Sequence, residues 1–327
     1  TTEIYTLSLH DALPISREPL NPENHPLRIM MKKTVGVVLA TFNGESFLDE
    51  QLTSIFNQTL LPDTVVIVDD CSTDGTVKIA QEWSRRHQEI IKLYTNVKNL
   101  GFIQNFEKGI SLCDTDFIAL CDQDDIWHIE KLEKCFAALS ADDNIGLCYH
   151  NVDLVNPAGE AIGADLSILT QLELPLDKTY AQELLANDPR SPIPGCSIVF
   201  SRTLKSYFMP IPGEKSCPHD WWLCAISFFI FNPVFIKEPL VKYRIHENQT
   251  SGPSSTLLKG TKFAIKKKIT LNRIISNIKK EIIRTFNHHN KNKERERQKE
   301  RQKNDLTIAI NRINYFMKNM QAKMQND

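Results

Sequence analysis

Residues 117–132 read FIALCDQDDIWHIEKL, and this stretch decides which fold the chain can adopt. Its first four residues are apolar and predict a buried strand, because a short apolar run before a turn signal is typical of central strands. Aspartates follow at once, at positions 122, 124 and 125. From Trp127 to Leu139 the apolar spacing predicts a helix. The pattern indicates a strand that delivers carboxylates to the edge of a sheet.

The segments on either side continue an alternation of strand and helix. Short apolar runs predict strands at 35–40, 64–68, 90–94 and 145–149, with shorter ones expected near 195–200 and 233–243, and helical spacing predicts helices at 47–56, 74–87 and 101–112. Short connections between such elements predict an α/β fold, with a mostly parallel central sheet and helices on both faces. Ligands bind such sheets beyond the carboxyl ends of the strands. The polar residues expected to converge on that rim are Thr41, Asn43, Asp69, Asp70, Asn99, Asp122 and Asp124.

Charge divides the chain into parts. The 327 residues hold 39 Lys and Arg against 40 Asp and Glu, a net charge of −1. Residues 259–327 alone hold about nineteen Lys and Arg and about six acids, so this tail carries roughly +13 and the remainder roughly −14. We expect a domain at residues 30–253 and a basic helical tail at 254–327. Residues 1–29 lack periodicity and precede Met30, so we expect a non-native or disordered leader there.

Several classes of protein are disfavoured. None of the eight cysteines forms a C-x-x-C pair, which argues against a zinc site or a disulfide framework. No apolar run is long enough to span a bilayer. The first predicted strand is followed by neither a G-x-G-x-x-G turn nor a Walker lysine loop. A dinucleotide dehydrogenase and a P-loop enzyme are therefore both disfavoured.

The acidic clusters have two interpretations each. Asp122 and Asp124 can present oxygens to one Mg²⁺ or Mn²⁺, and such a cation would relieve the repulsion between clustered carboxylates. They can equally stabilise the positive end of the helix predicted after them. The pair Asp69 and Asp70 can accept hydrogen bonds from a base or ribose, or can form an ordinary acidic turn.

Six motifs occur in an order that carries a family resemblance: ATFNGESFLDEQLTSIFNQT, VVIVDDCSTDGT, NLGFIQNFEKG, CDQDDIW, PHDWW and YRIHENQTSG. Together they resemble the family 2 glycosyltransferases of the GT-A fold, and the D-Q-D-D-x-W and Y-R-x-H-x-x-N forms resemble its bacterial rhamnosyltransferase-like branch. The similarity covers roughly residues 34–252. It implies a nucleotide-sugar donor, a divalent metal and a single-displacement transfer with inversion.

The resemblance also implies roles for single residues. The donor site would comprise Thr41, Asn43, Glu45, Asp69, Asp70, Asn99, Gly101, Asp122 and Asp125, with Asp70 reading the base and Asp125 contacting sugar or water. The metal ligands would be Asp122, Asp124 and His246. Asp220 would be the catalytic base that removes the acceptor proton.

Two of these assignments, and the two tryptophans beside Asp220, have plainer alternatives. Asp220 can simply cap the helix that carries Trp221 and Trp222, and His246 can be an ordinary loop histidine. The two tryptophans can stack on an acceptor sugar or pack in the core. In the tail, residues 266–283 suit an amphipathic helix with a cationic face, which can dock on an anionic membrane or pair with another helix.

The leading hypothesis is an inverting glycosyltransferase of surface polysaccharide biosynthesis, which uses dTDP-rhamnose or a UDP-sugar and a saccharide or polyprenyl-linked acceptor. It would lie in the cytoplasm, with peripheral contact to the inner face of the cell membrane. The competing hypotheses are a nucleotide-sugar-binding relative that transfers another group or retains configuration, and a catalytically inactive binding or membrane-associated interaction module. We expect no nucleic-acid partner, because no aromatic residues interleave with the basic charges.

Overall fold

The computed structural model describes residues 33–170, 172–187, 191–211, 218–247 and 249. The predictions for residues 1–29 and for the tail at 254–327 lie outside these described residues. The strands are β1 (Val35–Thr41), β2 (Thr64–Asp69), β3 (Ile91–Thr95), β4 (Phe117–Cys121), β5 (Ile126–Trp127), β6 (Leu147–Val155), β7 (Ala161–Asp165), β8 (Ile198–Ser201) and β9 (Val234–Arg244). The helices are α1 (Leu48–Phe56), α2 (Thr76–Arg86), α3 (Phe102–Leu112), α4 (Lys131–Ser140), α5 (Leu166–Thr170), α6 (Lys178–Asn187), α7 (Arg202–Phe208) and α8 (His219–Ile230).

The described strands form one sheet in the order β3-β2-β1-β4-β8-β6-β9-β5, with β7 paired to β6. From β3 to β4 all neighbours are parallel, as strands joined by helical crossovers should be. Beyond β4 the sheet is mixed, because β8 runs antiparallel to both of its neighbours while β9 runs parallel to β6. The predicted α/β class, with a mostly parallel sheet and helices on both faces, is confirmed.

Each strand of the parallel half feeds two cores, one on each face of the sheet. In β1, Val37 and Leu39 pack with α1 and α4, while Val38 packs on the opposite side with α3 and α8. This division follows from the alternation of side chains along a strand. Strands buried on both faces need apolar residues at nearly every position, which explains the continuous apolar runs in the sequence.

The register of the parallel strands brings their carboxyl ends together. Thr41 at the end of β1 pairs with Asp69 at the end of β2, and Asp69 pairs with Thr95 at the end of β3. On the other side of β1, Leu39 pairs with Cys121. The loops that follow β1, β2, β3 and β4 therefore share one rim of the sheet.

One predicted helix boundary is wrong. The residues after the aspartates do not enter a helix at Trp127, since Ile126 and Trp127 form the short strand β5 and pair antiparallel with Lys242 and Val241. The helix begins only at Lys131. The pairing partner lies more than a hundred residues away, so local spacing could not reveal it. Among the described residues, no helix has the length and apolarity needed to cross a membrane.

Candidate active site

The loop after β1 is bonded to the loop after β2, and Asn43 and Glu45 make these bonds. Asn43 has a φ of +49°, in the left-handed region that Asn adopts more readily than most residues. Its Oδ1 accepts the N–H of Thr73 at 2.8 Å, and its own N–H donates to the Ser72 hydroxyl at 2.8 Å. Glu45 Oε2 accepts the N–H of Gly75. The two loops thus form one unit of the rim.

Asp69 lies beneath that unit and is fully buried. Its carboxylate accepts the Thr41 hydroxyl at 2.9 Å, the N–H of Ser72 at 2.9 Å and the Ser72 hydroxyl. Both of its oxygens are therefore engaged within the protein. The role that the structure gives Asp69 is to hold the ends of β1 and β2 together.

Asp70 organises the loop that follows β3, here called the third loop. Its carboxylate accepts the side-chain amide of Asn96 at 2.8 Å and the N–H groups of Leu100 at 2.7 Å and Gly101 at 2.8 Å. Asn99 completes the turn, with its amide donating to the Asp70 carbonyl at 3.2 Å and its Oδ1 accepting from Gly101 at 3.1 Å. The Asp70 carboxylate is only 3% exposed and engaged with the protein's own donors, which differs from the predicted contact with a base.

The turn after β4, residues 122–125, is here called the acid loop. Gln123 fastens it to the first loop by a reciprocal pair of bonds with the Phe42 backbone: the Phe42 N–H donates to Gln123 Oε1 at 2.8 Å, and Gln123 Nε2 donates to the Phe42 carbonyl at 2.9 Å. Gly44 makes room for this contact, since a Cβ at that position would lie 2.2 Å from Gln123 Oε1. A side chain at position 44 would therefore displace the Gln123 amide from its bonds with Phe42.

Within the acid loop, Asp122 and Asp124 are partly exposed, whereas Asp125 is fully buried. Asp124 Oδ2 lies 2.8 Å from Nε2 of His246, which follows β9 and whose ring centroid is 4.8 Å from that of Phe47. His246 is thus within hydrogen-bond distance of Asp124, and its role as a metal ligand stays a prediction.

Asp125 occupies a different environment from the one predicted. Its Oδ1 accepts the backbone N–H of Arg244 at 3.1 Å, and its Oδ2 faces the interior. A fully buried carboxylate that bonds the end of β9 does not face the rim, in contrast to the predicted contact with sugar or water. Adjacent residues of a turn can point to opposite sides, so the position of Asp125 next to Asp124 in the sequence did not reveal that its side chain is buried.

Asp220 reaches the same rim from the first turn of α8. Its Oδ1 accepts the N–H of Trp221 at 2.8 Å, and further hydrogen bonds come from Ser191 and from the backbone of Gly195. The neighbouring tryptophans are core residues, since Trp221 is 2% exposed and Trp222 is fully buried with its indole N–H donating to the Phe208 carbonyl at 2.8 Å. The interpretation that they stack on an acceptor is therefore wrong.

The electrostatics of the rim favour protonation of the carboxylates. Burial, together with the negative charges of Asp124 and Asp220, raises the pKa of Asp122 to about 7. Burial also raises the pKa of Asp220 to about 6. A carboxyl whose pKa lies this close to neutrality is suited to accept a proton in a reaction.

A buried ammonium group partly balances these acids. Lys131 at the start of α4 is fully buried, with Nζ donating to the Cys196 carbonyl at 2.6 Å and lying 3.7 Å from the centre of the Trp127 ring. Its charge lowers the pKa of Asp122, against the larger effects of burial and of the other acids. One cation beneath several carboxylates leaves an excess of negative charge at the rim.

The residues at the rim fit a hard divalent cation. Asp122 and Asp124 offer carboxylate oxygens, the ligands that Mg²⁺ and Mn²⁺ prefer, and His246 lies beside them. A bound cation would also relieve the repulsion that raises the pKa of Asp122. Asp122, Asp125 and Cys196 also bring ligand atoms within 4.8 Å of one another, but the last two are fully buried. The partly exposed side of the loop is therefore the better place for a cation that also meets a diphosphate.

Sequence reasoning missed the residues that hold the acid loop in place. Gln123 and Arg244 stood inside the quoted motifs, and their positions next to predicted ligands were the only signal. Lys131 gave no signal, because a lysine at the start of an amphipathic helix normally faces solvent.

The described chain is similar in fold to a solved glycosyltransferase structure. TarS 1-349 of S. aureus in complex with UDP-GlcNAc aligns with a TM-score of 0.52 at 19% identity, over 66% of this chain and 60% of that one. This likeness shows that the described residues adopt the GT-A fold, with the acid loop at the rim of the mixed sheet.

The family follows from the sequence itself. The model of Glycosyl transferase family 2 matches residues 36–208, just over half of the chain, and the chain belongs to this family. It is 30% identical over 226 residues to "dTDP-rhamnosyl transferase RfbG" of Shigella flexneri, covering 65% of this chain and 73% of that protein. It is 25% identical over 214 residues to the uncharacterized protein Mb1547 of Mycobacterium bovis, covering 65% of this chain and 59% of the relative. The chain thus spans about three fifths of the length of that relative and of the solved structure. The resemblance drawn from the six motifs is confirmed.

Proposed function

We propose that this chain transfers a sugar from a nucleotide-diphosphate donor to an acceptor hydroxyl with inversion, and that a divalent cation takes part. One observation carries the proposal. Asp122 and Asp124 meet Asp220 at a single rim, close enough that the charge of Asp220 contributes to the raised pKa of Asp122. Donor-side and acceptor-side carboxylates are thereby brought together from segments almost a hundred residues apart.

Asp220 serves as the general base. The acceptor oxygen attacks the anomeric carbon from the face opposite the diphosphate, a new C–O bond forms, and the bond to the diphosphate oxygen breaks. The hydroxyl proton passes to the Asp220 carboxylate, whose raised pKa suits this role. Asp122 and Asp124, with His246 beside them, would hold a divalent cation, which would supply positive charge to stabilise the leaving diphosphate.

The loops after β1, β2 and β3 form the donor site. We assign Asn43 and Glu45 to its first wall, with the buried Thr41 behind them, and Asn99 and Gly101 to its third loop. Asp69 and Asp70 support the walls through the hydrogen bonds described above, so we assign them to shaping the site. The similarity to a protein named dTDP-rhamnosyl transferase favours dTDP-L-rhamnose as donor, with UDP-sugars as the alternative.

The acceptor is proposed to be a saccharide, free or polyprenyl-linked, in the synthesis of a surface polysaccharide. We further propose that residues 30–253 form the transferase domain. The basic tail at 254–327 would dock the enzyme on the cytoplasmic face of the membrane, where an anionic surface attracts clustered Lys and Arg.

A thermal-shift panel with Mn²⁺ tests the donor. Because a ligand that binds only the folded state raises its stability, dTDP-rhamnose should raise the melting temperature more than UDP-glucose or UDP-GlcNAc. Asp124→Asn should remove the Mn²⁺-dependent part of the shift. If no nucleotide sugar shifts the melting temperature with Mn²⁺, the proposed donor site is wrong.

A second experiment separates an enzyme from an inactive binding module. Asp220→Asn should bind donor and Mn²⁺ as the wild type does, while transfer or donor hydrolysis falls by about 10²–10⁴-fold, the usual contribution of a general base. If the wild type binds donor but neither hydrolyses nor transfers it, and Asp220→Asn behaves in the same way, the chain is a binding module.

A further inference from the structure

We infer that Arg244 is a positioning residue that holds the acid loop in its cation-binding geometry, and so sets the affinity for Mn²⁺ or Mg²⁺. The inference rests on the proposed function, because it assumes that Asp122 and Asp124 bind a cation. It assigns a role to a residue that touches neither donor nor acceptor in the proposal.

Arg244, the last residue of β9, contacts the acid loop at two successive residues. Its Nε donates to the Asp124 carbonyl at 2.7 Å, and its backbone N–H donates to Asp125 Oδ1 at 3.1 Å. The backbone of Asp124 and the side chain of Asp125 are thus fixed by one residue. Rotation of the loop about either contact would break the other.

The guanidinium is itself fixed by the surrounding protein. Its Nη1 donates to the Pro157 carbonyl in the turn after β6, its Nη2 is paired with Glu50 of α1, and its plane lies 4.8 Å from the centre of the Phe47 ring. Arg244 is 1% exposed, so water hardly competes for these donors. A planar group with five N–H donors can bridge three elements in this way, which a lysine cannot do.

The residues just after β9 also contact the partly exposed side of the acid loop. His246 lies two residues beyond Arg244, and its Nε2 is 2.8 Å from Asp124 Oδ2. One short segment therefore contacts Asp124 through both its carbonyl and its carboxylate. Groups that orient metal ligands in this way typically change metal affinity or activity by about 10–100-fold when mutated.

A second arginine, whose side chain is about half exposed, lies at the opposite end of β4. Arg202 also donates to two backbone carbonyls, Thr115 at 3.1 Å and Asp114 at 2.9 Å, just before the strand begins. It stands at the amino end of the sheet, away from the rim. Arg202→Lys therefore makes the same chemical change as Arg244→Lys without touching the acid loop.

The test measures how much Mn²⁺ is needed to half-saturate binding of dTDP, with UDP in parallel, by calorimetry on the full chain. Arg244→Lys should raise that concentration about 10–100-fold, and transfer should recover in part at excess Mn²⁺. Arg202→Lys should leave it within about twofold of wild type. A purely structural role for Arg244 would lower the melting temperature and leave the Mn²⁺ requirement unchanged, which would overturn the inference.

If Arg244→Lys does not fold, Glu50→Gln is measured in its place. Glu50 is about half exposed, and the substitution weakens only one partner of the guanidinium. We expect a rise in the Mn²⁺ requirement of about threefold or more, since hydrogen bonds between charged groups are stronger than neutral ones. A requirement equal to wild type would then contradict the inference. If the wild type binds no nucleotide with Mn²⁺ at all, the proposed function fails instead, which is a distinguishable result.

Discussion

At the scale of single residues, the rim holds carboxylates in an environment that disfavours their charge. Asp220 is the clearest case, because burial raises its pKa to about 6 from an ordinary value of 3.8. Between these two pH values the folded protein holds a proton that the unfolded chain has released. The free energy of unfolding contributed by Asp220 therefore falls as the pH rises through this window, and the cost is fully present above it.

Asp220→Asn should consequently stabilise the protein while it abolishes transfer. At pH 8 we expect a gain on the order of 1–3 kcal/mol in the free energy of unfolding, because the amide carries no charge to bury. At pH 3 the gain should nearly vanish, since the wild-type carboxyl is then protonated in both the folded protein and the unfolded chain. Chemical denaturation of both proteins at the two pH values measures this, and an equal gain at both would contradict the assigned pKa.

Gly44 offers a second test at this scale. In Gly44→Ala the new Cβ would overlap Gln123, so the bonds between Gln123 and Phe42 should break, with a loss of about 1–3 kcal/mol in stability. Adding Gln123→Ala should relieve the overlap, so the double variant should be less destabilised than the sum of the single changes. Strict additivity in thermal unfolding would show that the two residues do not contact.

At the scale of elements, the loops are positioned by buried polar side chains that join strand ends. Asp70 is bonded to two N–H groups at the start of α3, so the strand β2 fixes where that helix begins. The rim is therefore as rigid as the strands that carry it. The need to hold the loops in place explains why acidic residues occur at the end of β2, although their hydrogen bonds are made with the protein itself.

Asp70→Asn should loosen the third loop. The amide cannot accept all of the present hydrogen bonds, so we expect a loss of about 1–3 kcal/mol in stability, faster hydrogen exchange at residues 99–105 and weaker donor binding. Asp116→Asn is the matched control, because Asp116 accepts the N–H and hydroxyl of Thr34 at the amino end of the sheet. It should lose stability without any change in donor affinity. Equal effects of both variants on binding would argue against a local role of Asp70.

The elements also show what sequence could and could not predict. The parallel half was predictable, because apolar runs such as 64–68 and the helical spacing after them are local signals. Strand β5 was not, since Ile126 and Trp127 are extended only because β9 lies beside them. The residues of the candidate site can likewise be divided into those that local signals predict and those that they do not. Residues just past strand ends were found, whereas Lys131 and Arg244 have their roles only through contacts with distant segments.

At the scale of the whole molecule, the rim adds a pH dependence that a cation should reverse. The pKa of Asp122 is raised from 3.8 to about 7, so without metal its ionisation opposes folding increasingly as the pH rises between these two values. A cation binds the ionised form, and metal affinity therefore falls where the carboxylates are protonated. Metal and protons compete for the same residues.

We therefore expect millimolar Mn²⁺ to raise the melting temperature more at pH 8 than at pH 5.5. Differential scanning fluorimetry with and without Mn²⁺ measures this, with Asp124→Asn as the control that should show little shift at either pH. Removal of the metal with a chelator should restore the lower melting temperature at pH 8. A shift of equal size at both pH values would mean that Mn²⁺ binds elsewhere.

The contact of Gln123 with Phe42 across Gly44 has a consequence for anyone who wishes to change the donor. Segments 41–45 and 122–125 meet face to face, so a graft that replaces one of them from a relative would meet a partner of the wrong shape. Donor preference should therefore be exchangeable between family members only when both segments are transplanted as a pair.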